Sequence, residues 1–219
     1  MAGGSVCDAC WRSVHAFAAP DREPGPHATG TVDVGDAQAG RAGTAIDFAA
    51  AVGEYDGTLR EIIHALKYGR RRSIARRLGR LMREQGAGLL AGSDVAVPVP
   101  LHPARRRSRG FNQASLLARE LGRPVVEALR RTRHTRRQVD MRAEARLLNV
   151  SGAFALRRRD RWKMRWRGRP HPLAGLTVVL VDDVCTTGAT LEACARELKA
   201  AGAVSVGALT AARVSTRPR

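Results

Sequence analysis

Apolar positions along the chain fall into blocks of two periods. Leu59, Ile62, Ile63 and Leu66 recur at i, i+3, i+4 and i+7, one face of a helix that Gly69 would end. Ser73 is placed to cap a second helix with Ile74, Leu78, Leu81 and Met82 inward. Val95–Val99 predicts a short strand, which Pro98 and Pro100 confine to a strand end or a sheet edge. A helix is expected over Ala114–Leu121, broken by Gly122 and Pro124, and a short strand over Phe154–Leu156. The unbroken run Leu176–Val181 (LTVVLV) has the pattern of a central parallel strand covered on both faces. A helix over Ala189–Ala201, with Leu191, Ala195 and Leu198 inward, and a strand over Val204–Leu209 complete a strand–loop–helix–strand unit.

Two stretches lack such a period. Residues 1–50 carry Pro20, Pro24 and Pro26 and a Gly/Ala/Asp-rich segment, the composition of a short element followed by a linker. Residues 130–150 are highly charged and are expected to form a mobile excursion. The chain therefore divides into an extension (1–50), an α/β domain (51–212) and a basic tail (213–219). A length of 219 residues suits one such domain. A chain of this size buries about 70% of its unfolded surface, so disulfides or metal are not needed to hold it.

Charge changes the picture. Lys+Arg number 38 against 20 Asp+Glu, a net charge of +18. Residues 1–56 hold 3 basic and 8 acidic side chains, whereas residues 57–170 hold 30 and 8, a net of +22. The Arg bias (35 Arg to 3 Lys) is also what a G+C-rich genome produces, but the excess itself is not. It favours a polyanionic partner, either nucleic acid or a polyphosphorylated small molecule. No apolar run approaches the ~20 residues of a membrane span, and no signal-peptide pattern opens the sequence, so a cytoplasmic protein is expected.

The most informative stretch is Val178-Val-Leu-Val-Asp-Asp-Val-Cys-Thr-Thr-Gly-Ala-Thr190. A buried strand ends in two carboxylates, and a Thr/Gly-rich turn then opens a helix. The free amides and positive dipole of that helix start make an anion site, Gly188 permits close backbone approach, and Thr186, Thr187 and Thr190 add hydroxyls. No Lys stands in the loop, so the Walker pattern fails, and G-x-G-x-x-G is also missing. A phosphate monoester fits better than a nucleoside triphosphate. Asp182 and Asp183 beside a phosphate make sense if they accept hydrogen bonds from the vicinal hydroxyls of the same ribose.

This motif resembles the phosphoribosyl pyrophosphate (PRPP) signature of type I phosphoribosyltransferases, and the wider chain resembles their competence protein F (ComF) branch. The likeness also rests on Tyr55-Asp-Gly-x-Leu-Arg60, Leu66-Lys-Tyr68, Val97-Pro-Val-Pro-Leu101, Arg109-Gly-Phe-Asn-Gln113 and Arg142 through Asn149 to Gly152-Ala-Phe154, over about residues 55–212. It implies the type I phosphoribosyltransferase fold, a mostly parallel sheet flanked by helices with a flexible hood. It further implies that Asp182 and Asp183 hold the ribose hydroxyls and that Thr186, Thr187, Gly188, Ala189 and Thr190 wrap the 5′-phosphate. Leu101–Gly110, with four Arg in five residues, occupies the place of the pyrophosphate loop, with Arg105, Arg109 and Gly110 as participants. An arginine run is also what a solvated surface looks like. Residues 130–150 match the hood in position, which nominates Gln138, Arg142 and Arg146. Lys67 is a ligand contact by likeness, or simply a cation on a helix C-terminus.

Mg²⁺ is the expected companion of the pyrophosphate. Purine-salvage members carry an Asp where this chain has Thr186, which argues against hypoxanthine–guanine-type transfer. Family members commonly carry a four-Cys zinc knuckle; here Cys7 and Cys10 form one half, His15 and His27 match no standard finger, and zinc is not expected. Cys185 is read as a small residue filling the turn. The family likeness implies a part in natural competence, handling single-stranded DNA beside a helicase. Trp162 and Trp166 among the arginines of 157–169 suit base stacking or, equally, packing on the core edge. A phosphoribosyl-transferring enzyme and a non-catalytic single-strand-binding module are thus the two functions carried forward.

Overall fold

The computed structural model describes residues 6–14, 44–69, 71–132, 152–157 and 173–214. The first half runs α1 (Asp8–Arg12), β1 (Phe48–Glu54), α2 (Gly57–Tyr68), α3 (Ile74–Gln85), α4 (Ala87–Ala91) and β2 (Val95–Pro98). There follow α5 (Pro103–Arg109), α6 (Gln113–Arg119), β3 (Leu129–Arg131), β4 (Phe154–Leu156), β5 (Thr177–Cys185), α7 (Ala189–Ala200) and β6 (Ser205–Arg213). Strands β1, β6, β5 and β2, in that order, form a parallel sheet, while β3 and β4 pair as a separate antiparallel ribbon.

Alternation along β5 divides the core. Val179 and Val181 face Leu59, Ile62, Ile63, Leu66, Leu78 and Met82 of α2 and α3. Val178 and Leu180 face Leu191, Cys194 and Leu198 of α7, together with Leu129 and Phe154 of the ribbon. Burying each such Leu or Ile contributes about 1.5–3 kcal/mol, and the apolar run expected for a doubly covered strand is found at the sheet centre. Pro98 closes β2 at the sheet edge, where its missing N–H costs no ladder bond.

Several expectations need correction. Ser73 does not cap α3: it lies in the helical region (φ −59°, ψ −26°), and Ile74 N and Ala75 N donate instead to Arg71 O and Arg72 O. Strand β1 begins inside the stretch read as an extension, with Ile46 buried and Asp47 accepting from Val206 N at 2.7 Å. Strand β5 continues past the carboxylates to Cys185, paired with Arg213. Arg130 and Arg131, read as the start of an excursion, belong to β3, where Arg131 pairs with Phe154.

The amino-terminal element is docked. Trp11 is buried under Arg77, whose Cζ lies 5.0 Å from the indole ring, Arg77 also pairs with Asp8, and Ser13 Oγ donates to Thr58 Oγ1 at 3.0 Å. Helix α2 starts just beyond the carboxyl end of β1, yet its last turn reaches β5 two strands away, so it crosses the carboxyl-terminal ends of the sheet. Among the described residues, no helix is long and apolar enough to cross a membrane.

Candidate functional site

Ligands of open parallel sheets bind beyond the carboxyl ends of the strands, and the motif residues gather there. Beyond β5, residues Thr186, Thr187 and Gly188 make a sharp turn into α7, with Gly188 at φ 74°, the left-handed region that a residue with a Cβ enters only at a cost. A Cβ built on Gly188 would meet nothing within 4 Å, so it is the backbone conformation that selects glycine here. No described side chain caps α7, and its first intrahelical bond is Glu192 N to Gly188 O at 2.9 Å. The amides of the first turn therefore have no helical acceptors and converge on the turn. Thr186 is exposed, Thr187 and Thr190 are half-buried, and Ala189 is buried.

The two carboxylates are held differently. Asp182 Oδ1 accepts from Asp183 N at 2.8 Å, whereas Asp183 Oδ1 lies 2.7 Å from Lys67 Nζ, with the two paired side chains only 15% and 12% exposed. Burial, and then the neighbouring charge of Asp183, push the Asp182 carboxyl up to about 7, against the weaker opposing pull of the Asp183 amide, Lys67 and Arg131. Asp182 therefore exchanges a proton near neutrality while Lys67 supplies Asp183 with a counter-charge. Burial, with help from Asp182, drives the Cys185 thiol up to about 11, which leaves it protonated and a packing group rather than a nucleophile.

The basic segment after β2 is not the loop expected. It forms α5, whose start is capped by His102 Nδ1 accepting from Ala104 N at 3.2 Å and whose end is Gly110 at φ 76°. Helical spacing puts Arg105 and Arg109 on one face, where with Tyr68 and Ser108 they line an open hollow of about 230 Å³. Arg109 donates from Nη1 to Gln113 Oε1 (3.3 Å) and from Nη2 to the Tyr68 hydroxyl (3.2 Å). Gln113 is fully buried, and its Nε2 has no hydrogen-bond partner among the described residues. Because Lys67 and Tyr68 are consecutive, the last turn of α2 joins the carboxylate pair to the arginine cluster.

Arg131 was not expected here. Burial and the like charge of Arg105 lower its pKa, while Cys194 and then Asp182 oppose that effect, so Arg131 feels both the basic helix and the Asp182 carboxylate. Its ribbon packs against α7, with Leu129 and Phe154 buried in the same cluster as Leu191 and Cys194. Tyr68 and Gln113 were visible in the quoted motifs without a role; Arg131 had no sequence signal beyond its charge. The hood residues Gln138, Arg142 and Arg146, like Trp162, Trp166, His15 and His27, lie outside the described residues. Cys7 and Cys10 approach to 3.1 Å between sulfurs, and among the described residues no three His, Cys, Asp or Glu side chains gather to hold a metal ion.

Residues 107–219 match the phosphoribosyl transferase domain. The chain is 36% identical over 168 residues to DNA utilization protein YhgH of Escherichia coli (strain K12), covering 71% of this chain and 67% of that protein. It is 30% identical over 162 residues to Competence protein F of Haemophilus influenzae, with 69% and 66% covered. Against Competence protein ComFC of Bacillus subtilis the figure is 36% over 120 residues, or 54% of this chain and 44% of that one.

Proposed function

The chain belongs to the competence protein F family with its phosphoribosyltransferase-type domain, and on that premise we propose that it binds PRPP or a related ribose phosphate with Mg²⁺ and transfers the phosphoribosyl group. The observation that carries this reading is a single strand–turn–helix unit holding two carboxylates and an uncapped helix start. Asp182 and Asp183 accept the vicinal ribose hydroxyls; the amides and hydroxyls of Thr186–Thr190 take the 5′-phosphate. Arg105, Arg109 and Gly110 face the pyrophosphate, with Lys67 beside Asp183, and Gln138, Arg142 and Arg146 supply the hood.

Mg²⁺ would be held on the pyrophosphate, largely through the substrate and water, and would spread the pyrophosphate charge when bound. Asp182 and Asp183 are left to the ribose hydroxyls, with Lys67 beside Asp183. The chain's own contribution is placement: transfer through a loose, ribosyl-cation-like transition state needs orientation and charge more than a strong base. The arginines stabilise the departing pyrophosphate, and the hood excludes the water that would intercept the cation. Thr186 offers no base for a purine. We place the protein in the cytoplasm; the relatives' names, DNA utilization protein and Competence protein F, support a role in competence, to which the family resemblance adds DNA uptake beside a helicase-type partner.

Isothermal titration of PRPP with Mg²⁺ tests the reading, repeated on Asp182→Ala with Asp183→Ala. Micromolar binding that disappears in the double variant supports it and justifies screening acceptors for pyrophosphate release. Absence of binding by the wild type refutes it. The second reading, a non-catalytic module for single-stranded nucleic acid, is favoured by the net +22 of residues 57–170. It predicts log K falling with log[salt] by roughly 0.7 per phosphate contacted.

A further inference from the structure

Helix α3 is amphipathic in an unusual way: its outer face is arginine. Ile74, Ala75, Leu78, Gly79 and Met82 are buried, and Arg76, Arg80 and Arg83 are exposed. With Arg72, which precedes the helix in a turn that already bonds helically, they fall at i, i+4, i+8 and i+11, within one quadrant of the helix. Among the described residues, none of the four makes a salt bridge, and Glu84 is the single acid in α3. Arg77, outside that quadrant, is occupied with Asp8 and Trp11.

The row does not end at the helix. Arg72 lies over the Phe111 ring at 5.0 Å, and its Nη2 stands 3.7 Å from where a Cβ on Gly110 would be. Gly110 closes α5, so the four arginines continue into Arg105 and Arg109. At that junction stands Tyr68, 52% exposed, its ring 4.6 Å from His64 and 4.9 Å from the Arg109 guanidinium. An unneutralised row of guanidinium groups attracts a chain of phosphates, and an exposed aromatic ring at its end attracts an unpaired base.

We infer that the Arg72–Arg76–Arg80–Arg83 face of α3 is a track for the backbone of a single-stranded nucleic acid, which it leads to Tyr68 at the mouth of the candidate site. The inference rests on the second reading above and goes beyond it by assigning the contact to α3 rather than to the arginine-rich segments of 130–169. The exposed ring of Tyr68 at the end of the row favours a single strand over a duplex, because stacking there requires an unpaired base.

The test is fluorescence polarisation of labelled oligothymidylate across a salt series, with the full chain. Three proteins are compared: wild type, Arg76→Ala/Arg80→Ala/Arg83→Ala, and the same three positions changed to Lys. The Ala variant is expected to weaken binding by roughly tenfold or more and to lower the salt slope by about 2, while the Lys variant keeps the slope. Since Ala favours an exposed helix position, the Ala variant is expected to melt no earlier than wild type and to titrate PRPP unchanged. Wild-type binding with an unchanged slope in the Ala variant overturns the placement and leaves single-strand binding standing. Failure of the wild type to bind overturns both. Equal affinity for a duplex of the same length overturns the single-strand assignment.

Discussion

Lys67 closes α2 with its Nζ 2.7 Å from Asp183 Oδ1, tying a helix that crosses the sheet to the strand that carries both carboxylates. At 15% and 12% exposure the pair is largely out of water, so removing one partner strands the other's charge. The same ammonium also holds Asp182 down, although less than burial and Asp183 push it up.

Replacing Lys67 with Met is therefore expected to cost about 1–3 kcal/mol of stability, below a fully buried pair because some exposure remains. It should also drive the Asp182 carboxyl higher and weaken PRPP binding, whereas Lys67→Arg retains most of both. Urea melts and titration calorimetry on the two variants check this. Unchanged melts in Lys67→Met would show that the pair contributes nothing.

The two perturbed aspartates give stability opposite slopes with pH. Asp182 is raised from 3.8 to about 7 by burial and by Asp183, so between those values the folded chain binds a proton that the unfolded chain has lost. Its contribution is full below 3.8 and is lost as pH climbs through about 7. Asp47 shifts the other way. Burial pushes it up, but Lys199 and hydrogen bonds from Val206 N and Ser205 Oγ prevail and lower it, so its contribution exists above 3.8 and fades on acidification. Asp182→Asn should flatten the decline between roughly pH 4 and 7 and raise stability at pH 8 by on the order of 1–3 kcal/mol. Denaturant midpoints measured from pH 3 to 8 decide it; a decline that survives the substitution assigns the titration to another group.

Gly188 offers a test of the anion turn that is independent of charge. At φ 74° with open space around it, an Ala there is penalised only through the backbone, by roughly 1–2 kcal/mol. Relief of that strain would rotate the amides of Ala189 and Thr190 out of convergence. Gly188→Ala is expected to lose about tenfold or more in PRPP affinity, or at least 1.4 kcal/mol, with only a small fall in melting temperature. Gly188→Asn, which tolerates the left-handed region, should lose less. Equal affinity in all three proteins would remove the turn from the binding site.

What the sequence discloses follows from how each feature is encoded. Burial writes itself as periodicity, so β5, α2 and α7 are legible in Leu176–Val181, Leu59–Leu66 and Leu191–Leu198. The edge position of β2 is legible because Pro98 lacks a donor. Strand β1 hides because Ala49, Ala50 and Ala51 give neither β-propensity nor alternation, and only its register with β6 makes it a strand. Helix α5 hides because its arginines leave no apolar period, its local signs being only at its ends, Pro103 in the first turn after the His102 cap and Gly110 at the close. The Thr186–Thr190 turn is a contiguous motif and reads directly. The Lys67–Asp183 pair and the placement of Arg131 join distant segments, and no local pattern encodes a partner.

Gly79 sets two opposing terms against each other. Gly to Ala inside a helix ordinarily gains about 1 kcal/mol of propensity. Here the new Cβ would stand 2.4 Å from Glu120 Cβ and 2.9 Å from its Cγ, with Leu117 O at 3.4 Å. The nearest obstacle is the root of a side chain rather than its free end, so relief requires α3 and α6 to move apart, an overpacking cost of about 1–3 kcal/mol. The steric term wins, and Gly79→Ala is expected to destabilise by about 1 kcal/mol net. Glu120 sits at the carboxyl end of α6, where glycine is tolerated, so Glu120→Gly should remove the collision and restore the propensity gain. The double variant is then more stable than Gly79→Ala alone, with a coupling of roughly 1 kcal/mol in a double-mutant cycle. Additive single effects would mean that α3 and α6 do not meet at this point. Since α6 begins at Gln113, the acceptor of Arg109, the loosened Gly79→Ala protein should also bind PRPP more weakly, and Glu120→Gly should recover that loss together with stability.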